Sequence, residues 1–354
     1  MAKKERAMPK YVWIGNGDQK TRIDLAPLAY KEGGQGTVYL SGLFPIEMIN
    51  TCIKVINKPE DFAVQMEAIT KMLEHPAQPY ERAKHAAAVP LELVWDENKK
   101  AIGYTMEELR SWHGFHELTT VEGSESTEVD LRAAGLLLAA LSRAIRTIHG
   151  QGFVIGDLNP SNVLFKHIPL RYFDPPDASI EHSTVEFQVR VIDVDSWSIH
   201  RPDLGIEYSS HVLDRGVIYH PDIIQADKEG KPWPHFTPDH DWWAFACICW
   251  WVLTKHDPYQ WGKHEAIKNK EKRILKNLTA NSAVAVRLGF ISGSAVQALG
   301  PKLRFYLDRC LKGKEKRPFP TKMLEDFADN LRTCACGFTA HASAVICPKC
   351  AQLL

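Results

Sequence analysis

Between Ile155 and Phe165 the chain reads IGDLNPSNVLF, which sets Asp157 and Asn162 five residues apart in a polar stretch between two short apolar runs. An aspartate in such a loop can orient an attacking hydroxyl and accept its proton, and an asparagine amide oxygen can ligate a hard cation such as Mg²⁺. Further on, VIDVDSW places Asp193 at the end of a β-branched strand, with Asp195 two residues later. Two acidic residues at a strand end are often only turn residues. After a loop holding Asp and Asn, they read as the second half of a metal site. Upstream, Lys54 lies in the apolar strand CIKVI, where alternation gives it a face of its own. An isolated strand lysine is more often solvated than functional. Glu67, midway along a predicted helix, is suitably spaced to pair with it. The segment GGQGTVYL carries Gly33, Gly34 and Gly36, whose bare backbone could approach phosphate oxygens, followed by Val38, which could close over an adenine ring. A glycine-rich hairpin with no ligand is the plain alternative.

A second chemical signal lies at the C-terminus. Four of the 8 cysteines fall after Leu331, as Cys334-Ala-Cys336 and Cys347-Pro-Lys-Cys350. Two such pairs offer four thiolates to one tetrahedral Zn²⁺, and Gly337 suits a tight turn after the first pair. Four protein ligands close the coordination sphere, so the site is expected to be structural. The alternative is four unliganded thiols in a frayed tail, and His341, between the pairs, is a possible substitute ligand. Cys52, Cys247, Cys249 and Cys310 sit in apolar surroundings and are expected to be buried packing residues.

The elements needed to position these residues are legible in outline. Residues 11–58 read as strands, 61–74 as a helix stopped by Pro76, and 91–95 and 101–106 as two more strands. Leu131–Ile148 is a long apolar helix closed by Gly150 and Gly152, and short strands flank the polar loop at Phe153–Ile155 and Val163–Phe165. Residues 166–188 are proline- and charge-rich and read as an exposed elaboration. From Asp241 to about Leu331 the pattern is helical. A strand-rich first third and a helical remainder indicate an α+β protein with two unequal lobes. At 354 residues there is room for that and a small appendage. The 43 basic residues balance 43 acidic ones, which gives no electrostatic reason to expect nucleic acid or a membrane as partner. No apolar run is long enough to span a bilayer and the basic start lacks a signal-peptide core, so the expected location is cytoplasmic.

Lys54, Glu67, Asp157, Asn162 and Asp193 occur in the order and context of the protein-kinase superfamily, and the chain resembles it over residues 20–330. The resemblance implies a two-lobed kinase-like fold with a β-rich N-lobe over 21–108 and a helical C-lobe over 109–330. An N-terminal extension over 1–20 and a zinc-ribbon-like module over 331–354 flank them. It also implies ATP with Mg²⁺ or Mn²⁺ as cofactors. Tyr104-Thr-Met-Glu-Glu-Leu109 resembles the interlobe hinge, with Met106 as gatekeeper and backbone near Glu107 and Leu109 facing adenine. Tyr219-His-Pro-Asp222 resembles the end of an activation segment, Asp241 the residue that holds the catalytic-loop backbone, and Arg317 the arginine that pairs with Asp222.

The departures from the family pattern are specific. Lys31 replaces the first loop glycine, and Ile155-Gly156 replaces the His-Arg pair before Asp157. Asn159 stands where a lysine usually neutralises the transferring phosphoryl group; such a preorganised charge is commonly worth about 10²–10³-fold in rate. Asp195 replaces a glycine, which leaves the second metal ligand open between Asp193, favoured by strand register, and Asp195. The motifs GDLNPSN and DVDSW are similar to atypical bacterial Ser/Thr kinases of tellurite- and stress-resistance clusters. The partners implied are a protein substrate, a von Willebrand-type protein and a PP2C-type phosphatase. Two functions follow: an active protein serine/threonine kinase, or a pseudokinase that binds nucleotide as a scaffold. Nucleic-acid binding through the tail is disfavoured by its few basic and aromatic residues.

Overall fold

A computed structural model of the protein describes residues 9–15, 20–25, 28, 30–32, 36–40, 50–57, 63–75, 79–168, 186–210, 218, 220–259, 270–279, 293–313 and 318–353. Strands β1 (Tyr11–Ile14), β2 (Thr21–Asp24), β3 (Tyr30–Glu32), β4 (Gly36–Tyr39), β5 (Thr51–Ile56), β6 (Leu93–Trp95) and β7 (Ala101–Glu107) form one sheet, ordered β2-β1-β6-β7-β5-β4-β3. Every pairing in it is antiparallel. Side chains alternate between its faces. One face, with Val12, Ile14, Ile53, Val55, Val94 and Ile102, closes a small core of its own. Across β4, β5, β7 and β6 the register aligns Val38, Lys54, Tyr104 and Leu93 in one row on the other face, with Cys52 and Met106 in the row beside it. Leu93 and Tyr104 belong to the main core. Helices α1 (Ala63–Glu74) and α2 (Pro79–Ala83) add Met66, Ile69, Met72, Tyr80 and Ala83 to that core.

The sequence reading of residues 1–20 as an extension outside the lobe is corrected here. Strand β1 pairs with both β2 and β6, so residues 11–14 lie inside the sheet. Their alternation of half-buried and buried positions is the reason, since Val12 and Ile14 complete the smaller core.

After β7 the chain runs through β8 (His113–Gly114), α3 (Val121–Ser126) and α4 (Leu131–Gly150), then β9 (Phe153–Val154), β10 (Val163–Ile168), β11 (Glu186–Val191), β12 (Ser198–Arg201) and β13 (Ile206–Tyr208). Helices α5 (Pro221–Glu229), α6 (Pro238–Thr254), α7 (Lys270–Leu275), α8 (Gly293–Ala298), α9 (Gly300–Leu311) and α10 (Thr321–Asp329) follow, and then a hairpin of β14 (Leu331–Thr333) and β15 (Thr339–His341). The segment read as an exposed elaboration over 166–188 is partly strand, because β10 continues to Ile168 and β11 begins at Glu186. Among the described residues no helix is long and apolar enough to cross a membrane.

Two helices organise the second lobe. Helix α4 begins at Asp130, whose carboxylate accepts the Ala133 N–H at 2.7 Å and so satisfies one of the four unpaired N–H groups of the first turn. Its buried stripe, with Leu137, Leu141, Ile145 and Ile148, packs on α6 and α10. Helix α6 is buried on every side from His240 to Trp250, with Phe245, Ile248, Cys249 and Trp250 inaccessible to solvent. The four cysteines outside the tail are all buried. Replacing the cap, Asp130→Ala, is expected to lower stability by about 1 kcal/mol. A denaturation midpoint that falls with an unchanged slope would register that loss, and an unmoved midpoint would show that the cap contributes nothing.

Candidate functional site

The polar loop between β9 and β10 is held by a carboxylate from another helix. Asp241, in the first turn of α6 and fully buried, accepts the N–H groups of Ile155 and Gly156 at 2.8 Å each. His149 Nε2, at the end of α4, lies 2.8 Å from the same carboxylate. Three partners around one buried anion offset the cost of its desolvation, and the helix N-terminus favours its charge. His149 was not among the sequence-derived site residues.

Gly156 adopts φ of 73°, and a Cβ there would stand 2.4 Å from the Phe236 ring. A side chain at this position is therefore strained and blocked, and the place the family fills with arginine faces an aromatic ring. Asp157 follows, buried, with its N–H on the Ile155 carbonyl. Asn162 donates its amide to the Asp157 backbone oxygen at 3.0 Å and to its carboxylate at 3.3 Å. Asn159 does not act as a substitute cation. It is buried, donates to the Asp157 carbonyl at 3.2 Å, and accepts the Ser161 N–H at 2.9 Å as the cap of the short turn Pro160–Asn162. At the position where the resemblance expects a catalytic lysine, Asn159 instead sets the geometry of the loop.

The β10–β11 hairpin joins this loop to the two aspartates. Val163 pairs with Val191, so Asn162 and Ile192 flank the paired ends, and the Ile192 N–H donates to the Asn162 carbonyl at 2.9 Å. Asp193 then turns into the left-handed region, φ 66° and ψ 46°, where aspartate is among the tolerated residue types. Lys54 reaches across from β5. Its Nζ donates to Asp193 at 2.5 Å and also to Asp195, while the Tyr104 hydroxyl donates to Asp195 at 2.7 Å.

The two carboxylates have different surroundings. The Asp195 side chain is sealed, at 1% exposure, whereas Asp193 retains 27%. Burial alone would raise the Asp195 carboxyl, but the charge of Lys54 and the hydrogen bonds from Lys54 and Tyr104 outweigh it and hold the group below the ordinary value. Burial and then the neighbouring Asp195 charge push Asp193 up. Burial would lower Lys54, yet Asp195 and Asp193 together raise it above the usual lysine range. One ammonium faces two carboxylates, and Asp195 Oδ2 is buried with no hydrogen-bond partner. The cluster is short of positive charge, and its oxygen donors fit a hard divalent cation.

Glu67 is not the partner of Lys54. Its side chain is 64% exposed and pairs with Lys71 at 2.7 Å, one turn along α1. The buried face of α1 is Gln65, Met66, Ala68, Ile69 and Met72, so the helix phase that buries the methionines turns Glu67 outward. Tyr104, which donates to Asp195, reads in the sequence only as the start of the hinge-like segment, with no signal for that contact. Gly36 is explained by packing, since a Cβ would lie 2.7 Å from the Val55 carbonyl oxygen and 3.3 Å from the Lys54 stem. Val38 shares the face of Lys54. Gly33, Gly34 and Arg317 lie outside the described residues.

At the hinge, the Met106 side chain packs partly buried against the main core, and the Glu107 carbonyl is 3.7 Å from the Cys52 thiol. The Glu107 carboxylate pairs with Arg190 of β11 at 3.0 Å, and Arg190 also donates to the His85 carbonyl at 2.7 Å. Arg190 thereby ties the hinge to the second lobe. The Leu109 carbonyl accepts the Trp112 N–H. Asp222, in the first turn of α5, has an exposed side chain 3.6 Å from His220 Nδ1.

In the tail, the sulfurs of Cys334 and Cys350 lie 3.6 Å apart and those of Cys336 and Cys347 3.7 Å apart, with all four within 4.8 Å of one another. A tetrahedral zinc with bonds of about 2.3 Å separates its sulfurs by about 3.8 Å, so the donor set fits. The Lys349 N–H points at the Cys347 sulfur, 3.4 Å away, which favours a thiolate there. His341 is not among the converging donors. Its ring stacks on Phe327 of α10, and its Nδ1 is 2.8 Å from the Ser343 hydroxyl.

No family model matches the chain, and no curated protein matches it by sequence. Its architecture is nevertheless that of solved kinases. A rhoptry kinase from Toxoplasma gondii superposes with a TM-score of 0.52 at 14% identity, over 90% of this chain and 80% of that one. The Cydia pomonella granulovirus kinase PK-1 gives 0.50 at 14% identity, over 84% and 91%. ROP2 from Toxoplasma gondii, described as a virulence factor with a protein-kinase fold and no enzymatic activity, gives 0.51 at 12% identity, over 90% and 82%.

The buried cluster has a pH signature. Asp195 is held below the ordinary value of 3.8, so its stabilisation is complete above that value and is lost as pH falls through its lower folded value. Asp195→Asn is therefore expected to cost on the order of 2 kcal/mol near neutrality. Calorimetry across the acid range should show the wild-type advantage narrowing below 3.8. A gap that stays constant with pH would mean that the Asp195 charge is not what Lys54 stabilises.

Proposed function

We propose that this chain, built on the protein-kinase fold, is an ATP- and Mg²⁺-dependent protein serine/threonine kinase. The observation that carries the reading is the junction of the Asp157 loop with the Asp193 turn, where Asn162 bonds both Asp157 and the residue before Asp193. Lys54 reaches that same turn from the other lobe.

In this reading Lys54 positions the ATP phosphates, and Asp193 with the Asn162 amide oxygen holds the cation. Asp193 is assigned this role over Asp195 because only its carboxylate keeps access to the cleft. The cation, when bound, supplies charge that stabilises the phosphate oxygens. Asp157 orients the acceptor hydroxyl and takes its proton as the oxygen attacks the γ-phosphorus, and the bond to the β-phosphate oxygen breaks to release ADP. The amide of Asn162 on the Asp157 carboxylate fixes that carboxylate in one rotamer. The acceptor is a protein hydroxyl. On the resemblance of GDLNPSN and DVDSW, a von Willebrand-type protein is a candidate substrate and a PP2C-type phosphatase the enzyme that reverses the reaction.

A scaffold that binds nucleotide without transfer is the second reading. The outward Glu67 and the capping role of Asn159 favour it, since both remove a contact that active relatives use.

Labelled ATP with Mg²⁺ and a generic protein acceptor decides between them. Asp157→Ala should lower transfer by about 10²–10⁴-fold while nucleotide binding persists, and Lys54→Met should weaken ATP use with the fold retained. Binding by the wild type with no transfer above the Asp157→Ala background would establish the scaffold.

The tail is proposed to hold one structural Zn²⁺ on Cys334, Cys336, Cys347 and Cys350. Elemental analysis should find that ion, and Cys347→Ser with Cys350→Ser should lose it. Chelation should unfold the tail while the main thermal transition survives, because the lobes have a separate core. Protein purified without chelator that carries no zinc on these cysteines would refute the assignment.

A further inference from the structure

Lys54 can serve phosphates only if something fixes its ammonium at the cleft, and the glutamate expected to do so is turned away. The buried positions of α1 are Gln65, Met66, Ala68, Ile69 and Met72. At about 100° per residue, Glu67 stands about half a turn from the middle of that stripe. Turning it inward would carry Met66, Ile69 and Met72 out of the main core, with the loss of their apolar burial. Glu67 is paired with Lys71 on the surface instead.

A different carboxylate meets the ammonium. Asp195 Oδ1 accepts from Lys54 Nζ and also from the Tyr104 hydroxyl, the latter at 2.7 Å. Tyr104 is the cross-strand partner of Lys54 and is fully buried, so both donors reach this oxygen from neighbouring strands of one sheet. The turn that carries Asp195 is itself fixed. The Ser196 N–H and hydroxyl both donate to the Asp193 carbonyl, at 3.0 and 2.8 Å, and Val194 and Trp197 on either side are built into the main core. A side chain locked by packing and hydrogen bonds is what positioning another group requires.

The neighbouring Asp193 cannot do this and also hold a cation. Its carboxylate is partly exposed and free to turn toward the cleft, whereas that of Asp195 is sealed. Once Asp193 is committed to a cation, Asp195 is the remaining carboxylate partner of Lys54 among the described residues. A buried ammonium with no partner would be costly.

We propose that Asp195, oriented by Tyr104, is the positioning residue for Lys54, in the role that the resemblance gives to Glu67, and that α1 takes no part in placing the lysine. The inference rests on the proposed nucleotide site and adds which carboxylate builds it. The outward Glu67 is then no defect, because its task has passed to the turn after Asp193.

The test is equilibrium binding of ATP with Mg²⁺ to the full chain, with circular dichroism to confirm folding. Taking a negative charge out of a phosphate site would by charge alone tighten binding, so a loss reads position. Asp195→Asn should weaken ATP binding by about ten-fold or more. Adding Lys54→Met to Asp195→Asn should then cost little further, because the lysine is already misplaced. Tyr104→Phe, which removes only the hydroxyl, should show a smaller loss in the same direction, and decides the matter if Asp195→Asn does not fold. Glu67→Gln should bind ATP as the wild type does. Unchanged or tighter binding by Asp195→Asn, or by Tyr104→Phe where that variant decides, would overturn this inference and leave the nucleotide site standing. So would a loss in Glu67→Gln equal to that in Asp195→Asn. A wild type that binds no ATP would overturn both.

Discussion

A buried ammonium crosses between the two lobes, beside the apolar core that they share. Lys54 leaves an interior strand of the N-terminal sheet and ends between Asp193 and Asp195, which belong to a turn of the second lobe. An ionised lysine inside a protein is tolerable only when paired, and here the pairing also spans the cleft between the lobes. Tyr104, from the adjacent strand, donates to the same Asp195 oxygen, Oδ1, that Lys54 reaches. Separating the lobes at this point would expose or strand a charge, so the placement of the sheet against the Asp193–Asp195 turn depends on it. Arg190 on Glu107 provides a second tie at the hinge, at the edge of the same interface.

Around that contact the polar loop between β9 and β10 is shaped almost wholly by hydrogen bonds to backbone. Asp241 holds two successive N–H groups, Asn159 caps the next turn, and Asn162 closes back on Asp157. Each is a short polar side chain doing locally what a regular element cannot do in a tight loop. The Phe236 ring over Gly156 completes the mould and bars any side chain there. The loop's geometry is therefore built without the arginine that the family places beside the catalytic aspartate.

The tail is tied to the helical lobe as well as closed on itself. His341 stacks on Phe327 and lies against Gly300 of α9, while the Ala342 N–H donates to the Asn330 carbonyl. A module this small buries little apolar surface, so four converging sulfurs and this docking contact carry its order. Its four cysteines were readable as a candidate donor set because two cysteine pairs at close spacing have few other uses than metal binding or disulfides.

Residue type and order within the sequence were enough to mark Asp157, Asn162, Lys54 and Asp193 as one candidate constellation, and the fold brings Lys54 onto Asp193 and Asn162 onto Asp157. The same holds for α4 and α6, whose apolar periodicity admits one reading. Glu67 shows the limit. Spacing put it on the right helix, but whether it faced Lys54 depended on which stripe of α1 the core selected, and the methionines decided that. Asn159 and Tyr104 mark the same boundary, since their roles come from what the folded chain brings beside them. The sequence could not say that Asp195 would be sealed while Asp193 stays partly exposed; that difference comes from packing. Local pattern determined which groups and which elements were present. Tertiary packing determined which of them meet, because helix phase and burial are set by contacts far apart along the chain.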